Sequence, residues 1–236
     1  MNKQRAQAYN LSMILAAAYV VLLAGTDIIG SVISSIRNAV VFDAGFSFPF
    51  LPILVSIFSM SPAIIFVLYL YMFYKKKRNH VLLPIAYIAA AIINIFDMIT
   101  NLVGIVSLFV NGFVFTVFMG QLFSLGIHFI FFAAFVFLAV DCFIKFKLIG
   151  ISRIVVTVLA LIAAIQLVFG FFGIVSGFFL GLGGAGFLNV LFGLVILCFD
   201  LVGAVAAVAW PASQFLFWTR CVSKPKKRPE YSDMNV

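Results

Sequence analysis

The sequence predicts an all-α protein: a polytopic membrane helix bundle of six transmembrane helices, arranged as three hairpins, with both termini cytoplasmic. Hydropathy is the first observation behind this. Hydrophobic residues make up 65% of the chain and charged residues 9%, and mean hydropathy is +1.26, whereas soluble domains carry about 25% charged residues. The second observation is run length. The apolar runs are continuous and roughly thirty residues long, enough for a helix to cross a hydrocarbon core of about 30 Å. Barrel strands would instead alternate apolar and polar residues in segments of about ten. The third is where the charge lies. Lys3, Arg5, Lys75, Lys76, Lys77, Arg78, Lys145, Lys147, Arg153, Arg220, Lys224 and Lys226, Lys227 and Arg228 all fall on one side of a six-pass chain, and Arg37 alone falls on the other. Lys and Arg are in excess in cytoplasmic loops, so the basic side is read as cytoplasmic. The net charge of +8 therefore reports orientation, and no nucleic-acid partner is expected.

The first helix is read over residues 11–36. It is far longer than the h-region of a signal peptide, about 7–15 residues, so it is expected to be retained. Residues 37–47 are a loop. The second helix, 48–74, carries Pro49 and Pro52 in its first turns, where a missing N–H costs little. Pro62 is expected to kink it, and the run Lys75 to Arg78 stops it. Asn79 is a candidate N-cap for the third helix, 81–110, which has Pro84 near its start. Asn111-Gly112 signals a turn. The fourth helix is read over 114–144, the fifth over 151–179 and the sixth over 187–218, with glycine-rich residues 181–186 turning between the last two. Pro211 is a second expected kink. Residues 1–218 thus form a single transmembrane domain, and 219–236 a disordered, basic cytoplasmic tail.

Trp210, Trp218, Tyr69, Tyr71 and Tyr74 fall near the inner helix ends, as an interfacial aromatic belt would. Cys142 and Cys198 lie within apolar runs and Cys221 follows the last, so no disulfide is expected. The segment from Thr26 to Val32 resembles that from Thr100 to Val106, and Gly173-Ile174-Val175 repeats its Gly-x-Val end. A threefold hairpin repeat would explain this, as would chance matching in a small apolar alphabet.

The candidate site starts from the third helix. Asn94, Asp97 and Asn101 are spaced three and four apart and share a face, which Gly104 extends. An ionisable residue inside a lipid-crossing helix costs about 3 kcal/mol on insertion scales, and it usually faces protein or water. Asp27, Ser59, Asp97, His128, Gln166 and Asp200 each lie 15 to 18 residues in from the basic end of their helix. At ~1.5 Å per residue they form one level, about 22–27 Å up. The level holds three carboxylates and one imidazole and no Lys or Arg. Unpaired buried carboxylates stay protonated or hold a cation, which suits proton or cation coupling, or a cationic substrate. The alternative role is interhelical hydrogen bonding, worth about 0.6 kcal/mol per contact.

Other features read as structural. Asp141 stands four residues before Lys145, as an i,i+4 ion pair requires. Gly173, Gly177 and Gly181 form a small-residue ridge for close helix packing, and Gly203 with Ala207 a weaker one. Enzyme signatures are absent. With only His80 and His128 there is no paired-histidine zinc motif, and Gly173-Ile174-Val175-Ser176-Gly177 is not a nucleophile elbow. No enzymatic activity, metal or cofactor is expected. Two functions remain: transport of a small solute or ion, alone or as a membrane subunit, through the polar level; or a non-catalytic scaffold whose polar groups lock helices together. The expected setting is the plasma membrane, with contacts to the lipid bilayer and to anionic lipid at the inner leaflet. The candidate partners are a small solute or cation, and another copy or a partner membrane subunit.

Overall fold

A computed structural model describes residues 3–43, 45–75, 81–181 and 186–222, without the side chains of residues 3, 180 and 181. The helices are α1 (Lys3–Val41), α2 (Phe50–Tyr74), α3 (Leu82–Asn111), α4 (Phe115–Phe143), α5 (Ile149–Gly181) and α6 (Phe187–Leu216). A π-helical turn, Phe217–Cys221, extends α6. All six are long and apolar enough to cross a membrane, so the chain is a multi-pass integral membrane protein in contact with lipid.

Several boundaries differ from the sequence reading. α1 has 39 residues, because Gln4, Arg5, Ala6 and Gln7 are good helix formers and nothing between Arg37 and Val41 breaks the helix. At ~1.5 Å per residue it overhangs any bilayer core. α2 starts at Phe50, with Pro49 as its N-cap, and α3 is capped by Val81; Asn79 lies outside the described residues. α2 and α6 run unbroken through Pro62 and Pro211. Thr219 to Cys221 are helical rather than part of the tail. The rest of the tail from residue 223, the basic residues 76–78, His80 and the glycine-rich residues 182–185 lie outside the described residues. Asn111-Gly112 does turn, with Gly112 at φ 121°, where a side chain would be strained.

Each helix packs on its neighbours in sequence and α6 returns against α1, so the six close into a ring whose loosest seam is α4–α5. Burial is confined to one end. The buried residues run from Tyr9 to Thr26 in α1, Met60 to Leu70 in α2, Leu83 to Asn94 in α3 and Ile127 to Asp141 in α4. In α5 they run from Ile149 to Ala163 and in α6 from Ala206 to Trp218. Every described basic residue but Arg37 stands at this packed end. Toward the other end the helices splay.

Lipid is as apolar as a protein core, so burial of apolar surface does little to hold membrane helices together; close packing and hydrogen bonds do. Both are concentrated at the packed end. Ala16, Ala63, Ala86, Ala90, Ala91 and Ala139 let the backbones approach. Ser12 Oγ donates to Ser213 O at 2.7 Å, and Tyr9 donates to Leu70 O. Trp218 Nε1 donates to Tyr87 Oη at 2.5 Å, and Tyr87 Oη donates to Gln214 Oε1, also at 2.5 Å. The end of α6 is clamped by two arginines: Arg5 Nε donates to Cys221 O at 2.8 Å, and Arg153 donates to Trp218 O at 3.2 Å and Val222 O at 2.9 Å.

Three sequence expectations are corrected here. Trp210 and Trp218 are not interfacial anchors; both are buried against Phe66, Phe217 and Tyr87, because their rings fill the space where the helices converge. Tyr71 and Tyr74 are exposed, as a belt requires. Asp141 does not pair with Lys145. It is fully buried and caps α5: Leu148 N donates to Oδ1 at 2.7 Å and Ser152 Oγ to Oδ2 at 2.5 Å. The left-handed φ of Lys145, 59°, and of Phe146, 61°, turns the chain back so that the carboxylate reaches the orphan N–H at the start of α5. Finally, the ridge of Gly173 and Gly177 makes no close contact. A Cβ on either meets nothing within 4 Å, because both line a hollow between α1, α5 and α6, while the neighbouring Phe178 does pack against Gly193 of α6. Gly203 does pack closely, its Cβ position 3.3 Å from Thr26 Oγ1.

Candidate functional site

All six helices contribute to one cavity of about 400 Å³ above the packed end. Its polar lining is Tyr19 from α1, Ser59 from α2, Asn94 and Asp97 from α3, His128 from α4, Gln166 from α5 and Gln214 from α6. Pro62, Trp210 and Pro211 complete the wall near the floor. A proline leaves the carbonyl four residues back without its helical donor, and here both interior prolines face the cavity.

The centre of the polar lining is a triad across α3 and α4. Asn94 Nδ2 donates to Ala90 O of its own helix at 2.8 Å, which turns Oδ1 outward. His128 Nδ1 lies 3.1 Å from that Oδ1 and 3.6 Å from Asp97 Oδ2. Facing two acceptors, Nδ1 carries a proton. Nε2 has no protein partner among the described residues and is left for a solute or water. Asp97 and His128 both line the cavity; the Asp97 side chain is 45% exposed and that of His128 25%. Gln166 and Tyr19 make no side-chain hydrogen bond among the described residues, and the Tyr19 phenol stands near enough to Asp27 and Asp97 to feel their charge. The cavity therefore offers a carboxylate, an imidazole and unengaged amide and phenol groups within mostly apolar walls. That is the chemistry of a pocket that orients a small polar or cationic solute.

The level read from the sequence divides in two. Ser59, Asn94, Asp97, His128 and Gln166 converge on the central cavity. Asp27 and Asp200 do not line it; with Thr26, Ile174 and Gly203 they line an adjoining hollow of about 320 Å³ between α1, α5 and α6. Ser56 of α2 stands beside the Asp27 carboxylate. Asn101 lines neither: its Nδ2 donates to Asp97 O of its own helix at 2.8 Å. Gly104 packs against Gln121, its Cβ position 3.2 Å from the side chain, which joins α3 to α4. Sequence reasoning missed Tyr19 and Gln214. Gln214 carried a signal, as an amide inside an apolar run; Tyr19 carried none that separates it from other aromatics.

Among the described residues no group of three His, Cys, Asp or Glu side chains could hold a metal ion. Cys142, Cys198 and Cys221 are free thiols. Compared with known protein families, with curated proteins and with solved structures, the chain matches none.

Proposed function

We propose that the protein is a transporter of a small solute or cation, or the membrane subunit of one, and that Asp97, His128, Asn94 and Gln166 bind the solute. One observation supports this most: polar residues from every helix meet in a single cavity, with Asp97 its only carboxylate among the described residues. The positive-inside rule puts the packed, basic end in the cytoplasm and the splayed end outside, so the cavity would be reached from outside. This sidedness, a plasma-membrane location, contact of the basic end with anionic lipid and association with another membrane subunit all belong to the proposal. So does the absence of catalysis, which rests on the missing enzyme signatures.

A second reading, a scaffold, is favoured by the interhelical hydrogen bonds of Ser12, Tyr87 and Trp218. The two readings part at Asp97. A ligand-induced thermal-shift screen of the purified full chain against small polar solutes and cations is expected to return a stabilising solute. Its effect should vanish in Asp97→Asn and weaken in Gln166→Leu. If every solute that stabilises the wild type stabilises Asp97→Asn equally, the cavity is not its site. Sidedness is checked with an Asn111→Cys variant in which the native cysteines are replaced: labelling from outside is expected, and labelling from inside alone overturns the orientation.

A further inference from the structure

At the splayed end, α1, α5 and α6 enclose another hollow, of about 290 Å³. Arg37 of α1 and Asp200 of α6 both line it, and Gly173, Gly177 and Gly193 form part of its wall. Arg37 is the one described basic residue at this end of the bundle. Two contacts fix its guanidinium: Nε donates to Asn189 Oδ1 at 2.8 Å, and the group stands 5.5 Å from the centroid of the Phe42 ring. Together these engage one of five N–H groups and one face. The two terminal nitrogens have no acceptor among the described residues. Asp200 shares the hollow, yet the two side chains form no ion pair. Opposite charges in a largely apolar setting attract strongly when nothing separates them. Here Asn189, which holds the guanidinium, and Asp200 stand eleven residues apart on α6, about 16 Å along the axis, and the bare backbone of Gly173 and Gly177 leaves room at the wall of the hollow, with nothing within 4 Å of either Cβ position. Asp200 also lines the hollow that contains Asp27, so the acidic side is doubly acidic.

We infer that this outer hollow is a binding site for a small zwitterion, its anionic group on the Arg37 fork and its ammonium group on Asp200. A guanidinium held by its Nε edge presents its terminal N–H groups to a carboxylate, and the Asp200 carboxylate at the other side of the hollow attracts an ammonium group. The site stands apart from the central cavity and does not depend on the transport reading.

The test is calorimetric titration of the full chain in lipid nanodiscs with the ω-amino acids from glycine to 6-aminohexanoate, whose graded lengths act as a ruler. One length should bind best. Its N-acetyl and methyl-ester forms, each lacking one charge, should bind roughly tenfold more weakly or worse, as should Arg37→Gln and Asp200→Asn with the intact probe. Asp97→Asn should bind it as wild type does. The inference is overturned if no member of the series binds wild type, if both capped forms bind as well as the zwitterion, or if binding is lost in Asp97→Asn and kept in Arg37→Gln. The capped probes are applied to wild-type protein, so the answer does not hang on the folding of a variant.

Discussion

His128 of α4 faces Asp97 of α3 across the central cavity, with Nδ1 3.6 Å from the carboxylate. Asn94 Oδ1 lies closer to the same nitrogen, at 3.1 Å, and its amide is committed to Ala90 O. Neutral His128 is therefore expected as the Nδ1–H tautomer. Nitrogen NMR on ¹⁵N-histidine protein carrying His80→Gln, which leaves His128 as the one histidine, reads this directly. Asn94→Ala should raise the share of the Nε2–H form. A wild-type Nε2–H tautomer would contradict the geometry.

Tyr87 Oη links two fully buried groups, accepting from Trp218 Nε1 and donating to Gln214 Oε1. Tyr87→Phe keeps the ring and strands both partners, at about 1–3 kcal/mol for each buried polar group left unpaired. Thermal unfolding in detergent should show a midpoint lower by several degrees, while Tyr71→Phe on the exposed surface should change it little. Equal midpoints would mean that the chain of bonds does not hold the packed end.

Asp141 and Lys145 separate two accounts of one carboxylate. Asp141→Ala removes the cap of α5 and leaves the Leu148 N–H without an acceptor, a loss of about 1–2 kcal/mol. Lys145→Ala should be close to silent, because Lys145 is exposed and makes no ion pair among the described residues. Equal losses from both variants, measured by thermal unfolding, would restore the ion-pair account.

These residues show how far the sequence carried. Six apolar runs and the Asn111-Gly112 turn were legible because hydrocarbon thickness and turn chemistry act on each segment alone. Helix ends were less so, since Lys3 to Tyr9 and Thr219 to Cys221 are polar enough for a tail and become helical where Arg5 and Arg153 clamp them. Counting along each helix found the level of Asp97, His128 and Gln166. It could not find azimuth, because rotation about a helix axis is set by partners, and so Asp27 and Asp200 were grouped with residues they do not meet. Gly173 and Gly203 were alike in sequence for the same reason, and only the hollow beside Gly173 distinguishes them.

That contrast can be measured. Gly203→Leu must displace Thr26 of α1, since its Cβ starts 3.3 Å from Thr26 Oγ1, and it should lower the unfolding midpoint by several degrees. Gly177→Leu enters open space and should leave the midpoint near wild type while filling the outer hollow. A larger loss from Gly177→Leu than from Gly203→Leu would contradict the open space beside Gly177.

The most direct test of the central cavity is uptake into proteoliposomes, with a solute found in the thermal-shift screen, by wild type, Asp97→Asn and Asp97→Leu at equal protein incorporation. The expected result is uptake at least tenfold slower in Asp97→Asn with an unchanged unfolding midpoint, because the substitution keeps the shape and removes the charge. Equal uptake by wild type and Asp97→Asn, with Asp97→Leu losing only stability, would contradict the account and leave Asp97 as a residue that holds helices together.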